Sequence, residues 1–168
     1  MSDKIVKKVE NLPQLTAVKR TDKLIQRVAA YARVSTGKEE QQTSIVAQKE
    51  YYTDYIKSHA GWQFVGVYAD EGISGCSTKR REQFKQLMSD CMADKIDMVL
   101  TKSISRFGRN TVDTLTTIRE LKSKGIGVYF EKEQVWTMDS KGEFIITLMS
   151  SLAQEESRSM SENILWAV

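Results

Sequence analysis

The chain has 168 residues, of which 40% are hydrophobic and 28% are charged. This size and composition are typical of one compact globular domain, and no apolar run approaches the roughly 18 residues of a membrane span. The lysines near the start precede no apolar segment, so no signal peptide is predicted and a cytoplasmic protein is expected.

The formal net charge of +3 comes entirely from residues 1–25, and the basic and acidic groups of residues 26–168 balance. A body without net charge would not bind nucleic acid tightly through counterion release alone. Any anion site in this chain therefore has to be a local cluster of cations.

Histidine and metal chemistry are disfavoured by residue counts. His59 is the single histidine, and the two cysteines, Cys76 and Cys91, lack C-x-x-C spacing. We therefore expect no zinc site, no cofactor and no Ser-His or Cys-His pair. Cys91 is predicted in the core, Cys76 in a loop, and His59 at the surface or as a cap at a helix end.

Residues 1–25 are predicted to form a mobile tail, and residues 26–139 the main domain. In that domain, strands over 27–34, 63–69, 98–100 and 126–131 alternate with helices over 40–58, 84–92 and 110–125. Asn110 is the predicted N-cap of the third helix, with Asp113 near N3. This alternation predicts an α/β fold, with a mostly parallel central sheet and helices on both faces.

Residues 140–168 are predicted to form a long C-terminal helix. Ser140-Lys141-Gly142-Glu143 fits a capping box, and a helix over 141–166 would be roughly 39 Å long. Ile145, Leu148 and Leu152 form the predicted core-facing stripe. A helix that outruns its own domain is expected to pack against a partner; the alternative is a helix that frays beyond Ala153.

The first chemical candidate is the segment Tyr31-Ala32-Arg33-Val34-Ser35-Thr36, which ends the first predicted strand. Ligands and reactive groups of open α/β sheets lie at the carboxyl ends of the strands. Ser35 is therefore a candidate nucleophile, but the chain offers it no histidine as a base.

A second segment supplies positive charge at the same edge of the sheet. Residues 98–112 contain Lys102, Arg106 and Arg109 and no acid, just before the N-terminus of a predicted helix. Arginine suits bidentate contacts to phosphate, and a helix N-terminus attracts anions. The alternative is a basic loop paired with surface carboxylates.

The loop from Asp70 to Arg81 contains Ser74 between two glycines and follows the second predicted strand. Together with Arg33, Ser35 and the 102–109 cations it predicts a cluster of arginines and hydroxyls. Such a cluster suits attack by a serine on a phosphodiester, with arginines stabilising the non-bridging oxygens.

Six motifs together resemble the resolvase/invertase family of serine recombinases, and most closely its large branch of phage integrases and transposon recombinases. The resemblance runs from about residue 27 to the end of the chain. The motifs are Y-A-R-V-S-T (31–36), S-I-x-x-Q (44–48), D-E-G-I-S-G (70–75), K-S-I-S-R-F-G-R-N (102–110), F-E-K-E (130–133) and S-L-A-Q-E-E-S-R-S (151–159).

The resemblance implies a resolvase-like catalytic domain in which Ser35 attacks DNA and forms a 5′-phosphoserine linkage. It implies that Arg33, Arg106 and Arg109 hold the scissile phosphate, with Lys102 and Arg158 as further phosphate contacts. Supporting active-site roles fall on Gln48, Asp70, Ser74 and Arg81.

The resemblance also implies partners: double-stranded DNA, and further copies of the chain in dimers and tetramers formed through the long helix. A directionality factor is a candidate further partner, and no membrane is expected. The host implied is a bacterium or a phage. Because no helix-turn-helix or zinc ribbon is recognisable, we expect a catalytic domain separated from its DNA-binding parts.

Two positions depart from the small resolvases. Ser105 stands where they have aspartate and Ser157 where they have arginine, which leaves the proton donor unassigned. Two other functions remain open: a non-catalytic interaction module of the same fold, and a phosphate-ester enzyme acting on small molecules. The intact Ser35 and arginine set disfavours the first, and the lack of a glycine-rich phosphate loop disfavours the second.

Overall fold

A computed structural model describes residues 24–35, 44–72 and 81–166 of the chain. The predicted order of strands and helices is confirmed, with two additions, the short helix α3 and the short strand β5. The elements are β1 (Gln26–Ser35), α1 (Ile45–Ser58), β2 (Trp62–Gly72), α2 (Glu82–Met92), β3 (Met98–Thr101), α3 (Ile104–Phe107), α4 (Thr111–Ser123), β4 (Gly127–Phe130), β5 (Val135–Trp136) and α5 (Ser140–Trp166).

The five strands form one sheet in the order β2-β1-β3-β4-β5. The β1–β2, β1–β3 and β3–β4 pairs are parallel, and only β5 runs antiparallel to its neighbour. From β1 the chain goes first to β2 on one side and then to β3 on the other. The carboxyl ends of β1 and β3 therefore flank a topological switch point, the usual position of a ligand crevice in such sheets.

Helices cover both faces of the sheet, as predicted. On one face α1 packs Tyr52 and Ile56 against Val28 and Ala30 of β1. The opposite face carries α2, α4 and α5, whose buried residues meet the alternate β1 positions. Cys91 of α2 belongs to this second core and is fully buried, as expected from its place on the apolar face of the helix.

Side chains cap the N-termini of α4 and α5. Asn110 accepts a hydrogen bond from the amide of Asp113 at 2.8 Å, which confirms the predicted N-cap of α4. The start of α5 differs from the prediction, because Asp139 and not Ser140 accepts the hydrogen bond from the amide of Gly142, at 2.8 Å. The capping box predicted over residues 140–143 is therefore wrong, since Ser140 is already helical.

The buried face of α5 also differs from the predicted stripe. Ile146 and Met149 are buried and Ile145 packs against them, whereas Leu148 and Leu152 are 48% and 51% exposed. The turn after β5 sets this rotation, because a Cβ on Gly142 would lie 2.2 Å from the carbonyl oxygen of Trp136. Only glycine fits this contact, so the contact fixes which side of the helix faces the sheet.

The helix α5 continues to Trp166, and every residue from 154 to 166 is exposed. The alternative of fraying beyond Ala153 is thus not what the structure shows. None of the helices in the described part of the chain is long and apolar enough to cross a membrane.

Candidate active site

The end of β1 brings the predicted nucleophile to the switch point. Ser35 is the last residue of the strand and lies opposite Gly72 of β2 in the parallel ladder. Two residues earlier, Arg33 reaches across the crevice, and its Nη2 donates to the carbonyl oxygen of Ser105 at 2.8 Å. The description of Ser35 covers its backbone only, and Ser74 lies outside the described residues.

The basic segment after β3 is held by a buried aromatic residue. Phe107, at the end of α3, is fully buried. Its ring meets those of Tyr31, Phe84 and Phe130 edge-on, with centroids 6.4, 5.3 and 5.7 Å away. Because Phe107 directly follows Arg106, this anchor fixes an otherwise exposed basic turn on the core of the domain.

The close approach of α3 and α4 depends on Gly108. A Cβ at this position would lie 1.7 Å from Oγ1 and 2.9 Å from the backbone Cα of Thr114. The glycine lets the turn fold tightly, so that Arg109 emerges directly before the N-terminus of α4. The basic motif is therefore a compact turn between two helices and not an extended loop.

Four cationic side chains line one open pocket of about 450 Å³, which we call the arginine pocket. It lies at the carboxyl ends of β1, β3 and β4, and none of the described residues that line it is acidic. Its residues are Arg33, Lys102, Ser103, Ser105, Arg106 and Lys132. The hydroxyls of Ser103 and Ser105 lie 3.0 Å apart in its wall. Concentrated positive charge with hydroxyl donors suits a bound phosphate group.

The cations of this region repel one another. Burial lowers the pKa of the Arg33 guanidinium below its ordinary value, and three neighbouring cations lower it further; these are Arg81, Arg106 and Arg109. A bound anion would relieve both effects, because opposite charge favours the charged form of the guanidinium.

Asp70 and Arg81 lie behind the pocket and bind protein groups. Asp70 accepts hydrogen bonds from the amides of Gln83 and Phe84 at the start of α2, both at 3.0 Å, and from the Tyr31 hydroxyl at 3.0 Å. Arg81 is buried; its Nε donates to the Tyr31 hydroxyl.

The Arg81 guanidinium also donates to the carbonyl oxygen of Phe107 and lies over the ring of Phe84. Burial raises the pKa of Tyr31 to about 12, so its hydroxyl keeps its proton and donates to Asp70. Arg81 thereby ties β1 and α2 to the turn that carries Arg106.

The other predicted residues lie farther out. Gln48 lines a neighbouring pocket of about 340 Å³, which shares Lys102 with the arginine pocket. Arg109 lines a third depression, at the start of α4, which shares Ser105 with the arginine pocket. Arg158 lies on the exposed end of α5, where it pairs with Glu162 at 3.1 Å, and it does not line the arginine pocket.

Several pocket residues have no role predicted from the sequence, among them Ser103, Glu131 and Lys132. Lys132 and Glu131 follow β4 directly, and Ser103 lies between β3 and α3. The only available signal was their position after strands that end at the same edge of the sheet. The F-E-K-E motif contains the first two, but the strand order that brings β4 beside β3 was needed to place them.

Residues 28–168 match the family model described as the resolvase N-terminal domain. Over 136 residues, covering 81% of this chain, the sequence is 30% identical to the transposon Tn3 resolvase of Escherichia coli. The matched region is 66% of that relative, so the chain spans slightly less than two thirds of its length.

Two solved structures resemble the fold. One is the N-terminal catalytic domain of TP901-1 integrase, with a TM-score of 0.64 and 28% identity, covering 79% of this chain and 98% of that one. The other is a resolvase family site-specific recombinase from Streptococcus pneumoniae, with a TM-score of 0.69 and 28% identity, covering 84% and 95%.

Proposed function

The chain belongs to the family of the resolvase N-terminal domain, and from this premise we propose that it is the catalytic domain of a serine site-specific DNA recombinase. The family supports site-specific recombination as the overall activity. The nucleophile, the covalent intermediate and the partners are specific parts of the proposal.

The arginine pocket is the observation that carries the proposal. Among the described residues, it has four cations and no acid, at the switch point where β1 ends in Ser35. A phosphodiester of DNA carries one negative charge, which is shared by two non-bridging oxygens. A guanidinium group can bind both oxygens through two parallel hydrogen bonds. Arg33 and Arg106 both line the pocket and are the proposed ligands of these oxygens. Arg109, which lines the adjoining depression at the start of α4, is proposed to assist them.

In the proposed reaction, the Ser35 hydroxyl oxygen attacks the phosphorus atom and loses its proton. The bond from phosphorus to the 3′-oxygen breaks, and that oxygen takes up a proton and leaves as a 3′-hydroxyl. A 5′-phosphoserine linkage holds the cleaved strand until a 3′-hydroxyl from another strand reverses the step. Arginine charges stabilise the additional negative charge of the transition state, without a metal or histidine.

The remaining predicted residues take supporting roles. Asp70 and Arg81 hold β1, α2 and the 106–109 turn in register, and Gln48 and Ser74 are proposed to border the nucleophile. Lys102, which lines the arginine pocket, is proposed to contact the phosphate bound there, and Arg158 the DNA near the end of α5.

The proposed partners are double-stranded DNA and further copies of the chain, as a dimer that forms a tetramer during strand exchange. A directionality factor is a candidate additional partner. The proposed place of action is the cytoplasm of a bacterium, on DNA of a transposon or phage. Exposed apolar residues on α5 support self-association.

The test of the nucleophile uses the protein that carries this chain and a nicked duplex containing its recombination site. The wild type is expected to form a covalent protein–DNA adduct that survives denaturation. Ser35→Ala is expected to form none, and Ser151→Ala, which removes an exposed serine on α5, is expected to match the wild type. An adduct of equal yield from Ser35→Ala would end the proposal.

A further inference from the structure

The pocket next to the arginine pocket holds a carboxyl group that the proposed reaction does not use. This neighbouring pocket, the tyrosine pocket, is lined by Ala47, Gln48, Tyr51, Tyr52, Lys102 and Glu131. Of the residues that the structure describes, Lys102 alone lines both pockets. A group in the tyrosine pocket that attracts or neutralises the Lys102 ammonium therefore changes the positive charge available in the arginine pocket.

Backbone hydrogen bonds fix Glu131 beside Lys102. The amide of Glu131 donates to the carbonyl of Thr101 at 3.0 Å, and the amide of Lys132 donates to the carbonyl of Lys102 at 2.8 Å. These bonds continue the parallel β3–β4 ladder beyond its regular part. The two side chains thus leave neighbouring strand ends at a spacing set by the sheet.

The carboxyl group of Glu131 has only part of its hydrogen-bonding capacity satisfied by the described residues. Its Oε2 accepts a hydrogen bond from the Tyr51 hydroxyl at 3.4 Å, and the Tyr52 hydroxyl is a second hydrogen-bonding neighbour. Its Oε1 is buried and has no hydrogen-bond partner in the described part of the chain. A buried carboxylate oxygen without a donor is costly, so the group gains from a nearby cation or from a proton.

Other charged groups surround the same turn. Helix α1 contributes Tyr51 and Tyr52, the segment after β3 contributes Lys102, and the turn itself contributes Lys132 and Glu133. Lys132 lines the arginine pocket, and Glu133 Oε2 accepts from the amide of Ile104 at 3.4 Å. Lys102 is the cation that shares the tyrosine pocket with the Glu131 carboxyl.

We propose that Glu131 is a positioning residue for Lys102, and that its protonation releases the Lys102 ammonium from the tyrosine pocket to the phosphate in the arginine pocket. The inference rests on the proposed function, because it concerns the same phosphate site. The charged carboxylate attracts the Lys102 ammonium into the tyrosine pocket, and the neutral acid does not.

The direction of the pH dependence follows from this arrangement. Burial raises the pKa of Glu131, while the hydroxyls of Tyr52 and Tyr51 and the charge of Lys102 oppose that rise. As pH falls through the raised pKa, the acid becomes neutral and the phosphate site gains one free cation. DNA affinity is then expected to rise by about fivefold, the effect of one unit charge at about 4 Å in water.

The experiment measures binding of the 168-residue chain to a short fluorescent DNA duplex by anisotropy, from about pH 5 to pH 8 at constant ionic strength. The wild type is expected to bind more tightly at the acidic end. Glu131→Gln is expected to bind tightly at every pH, and Lys102→Gln weakly at every pH. Glu50→Gln, which removes an exposed carboxylate from α1, is the matched control and should follow the wild type.

A double-mutant cycle separates positioning from a general effect of charge. In the Lys102→Gln background, the Glu131→Gln substitution is expected to change nothing. Two results would overturn the inference. One is a DNA affinity of Glu131→Gln that depends on pH as in the wild type, and the other is an effect of Glu131→Gln on DNA affinity that is as large in the Lys102→Gln background as in the wild type. If Glu131→Gln does not fold, Lys102→Gln is a sufficient test. DNA affinity that still depends on pH in Lys102→Gln would overturn the inference.

A further variant distinguishes this inference from the proposed function. Arg33→Gln is expected to weaken DNA binding whatever the state of Glu131. If Arg33→Gln binds like the wild type, the arginine pocket is not the phosphate site and the proposed function fails. If Arg33→Gln loses affinity but Glu131→Gln keeps the wild-type pH profile, only the role of Glu131 is refuted.

Discussion

At the scale of single residues, two of the positions implied by the family resemblance make hydrogen bonds within the protein that stabilise the fold around the site. Asp70 is 7% exposed and accepts hydrogen bonds from two amides of α2 and one tyrosine hydroxyl. Arg81 is 8% exposed and donates to Tyr31 and to the carbonyl of Phe107. Loss of either is therefore expected to affect stability as well as catalysis.

Asp70→Asn tests this dual role. The asparagine keeps the shape but has one acceptor oxygen, so it cannot serve both amides of α2 and the Tyr31 hydroxyl together. We expect the free energy of unfolding to fall by about 1–2 kcal/mol, the usual cost of losing a helix cap. Urea denaturation at neutral pH measures the change.

The control for this prediction is Glu71→Gln, at the exposed next position of β2. It removes the same charge without removing a buried acceptor, and it is expected to leave the unfolding midpoint nearly unchanged. Equal midpoints for both variants and the wild type would mean that the three hydrogen bonds of Asp70 contribute nothing to stability.

At the scale of secondary-structure elements, the arginine site depends on how tightly α3 packs on α4. Gly108→Ala would place a methyl group against the side chain and backbone of Thr114. The turn would have to open, at a cost of about 1–3 kcal/mol for an overpacked contact. Because Arg106 and Arg109 flank this glycine, DNA affinity should fall together with thermal stability.

Gly66→Ala is the matched control for the turn. A Cβ at Gly66 of β2 would meet only the Tyr68 ring, at an ordinary distance of 4.0 Å. This variant is expected to be as stable as the wild type or slightly more, since alanine restricts the unfolded chain. Calorimetry and anisotropy on the two variants give the comparison, and equal behaviour would exclude a steric role for Gly108.

Hydrophobic periodicity was sufficient to predict the strands and helices of the sheet and most of their order. It could not predict α3 or β5, because four and two residues are too short to show a period. For α5 it was right about Ile145 and wrong about Leu148 and Leu152, since apolar residues occupy several faces of that helix. Which face is buried depends on the contact of Gly142 with the turn after β5, and periodicity carries no information about that contact.

The candidate site was predictable in part for a similar reason. Arg33 lies near the carboxyl end of β1, and Lys102 and Arg106 follow β3. Because parallel strands end at the same edge of a sheet, the α/β alternation alone predicts that these three residues lie together. Glu131 and Lys132 join them only because β4 lies beside β3, a neighbour relation that comes from the strand order. Ser74 remains a prediction.

At the scale of the whole molecule, α5 presents an apolar stripe that the domain does not cover. Phe144, Leu148 and Leu152 are 66%, 48% and 51% exposed and follow one another at intervals of four residues. Such i, i+4 rows form the ridges by which helices pack against one another. A second copy of the chain is the proposed occupant of this stripe.

The double substitution of Leu148→Glu and Leu152→Glu tests the proposed self-association. Two charges in an apolar contact are expected to weaken the dimer by more than about tenfold, because each would be buried without a partner. Both side chains are half exposed in the single chain, so its thermal unfolding should change little. Sedimentation velocity over a range of protein concentrations measures the association.

Gln154→Glu, which adds a charge at an exposed polar position of the same helix about 120° away from the stripe, is the control and should associate like the wild type. Self-association of equal strength in the double variant would contradict a role for the stripe. A wild type that stays monomeric at every concentration would contradict it as well.

The exposed end of α5 has a mechanical consequence. Ala153 is the last residue that packs against the core, and residues 154–166 extend about 20 Å beyond it as continuous helix. The helix therefore acts as a lever whose pivot lies at Ile146 and Met149. The tip at Trp166 lies about 27 Å from this pivot, so a rotation of about 7° moves it by about 3 Å, which is comparable with the rise of one base pair in B-DNA. If the tip contacts DNA as proposed, small changes in the packing of two buried side chains would shift it by a whole base-pair step.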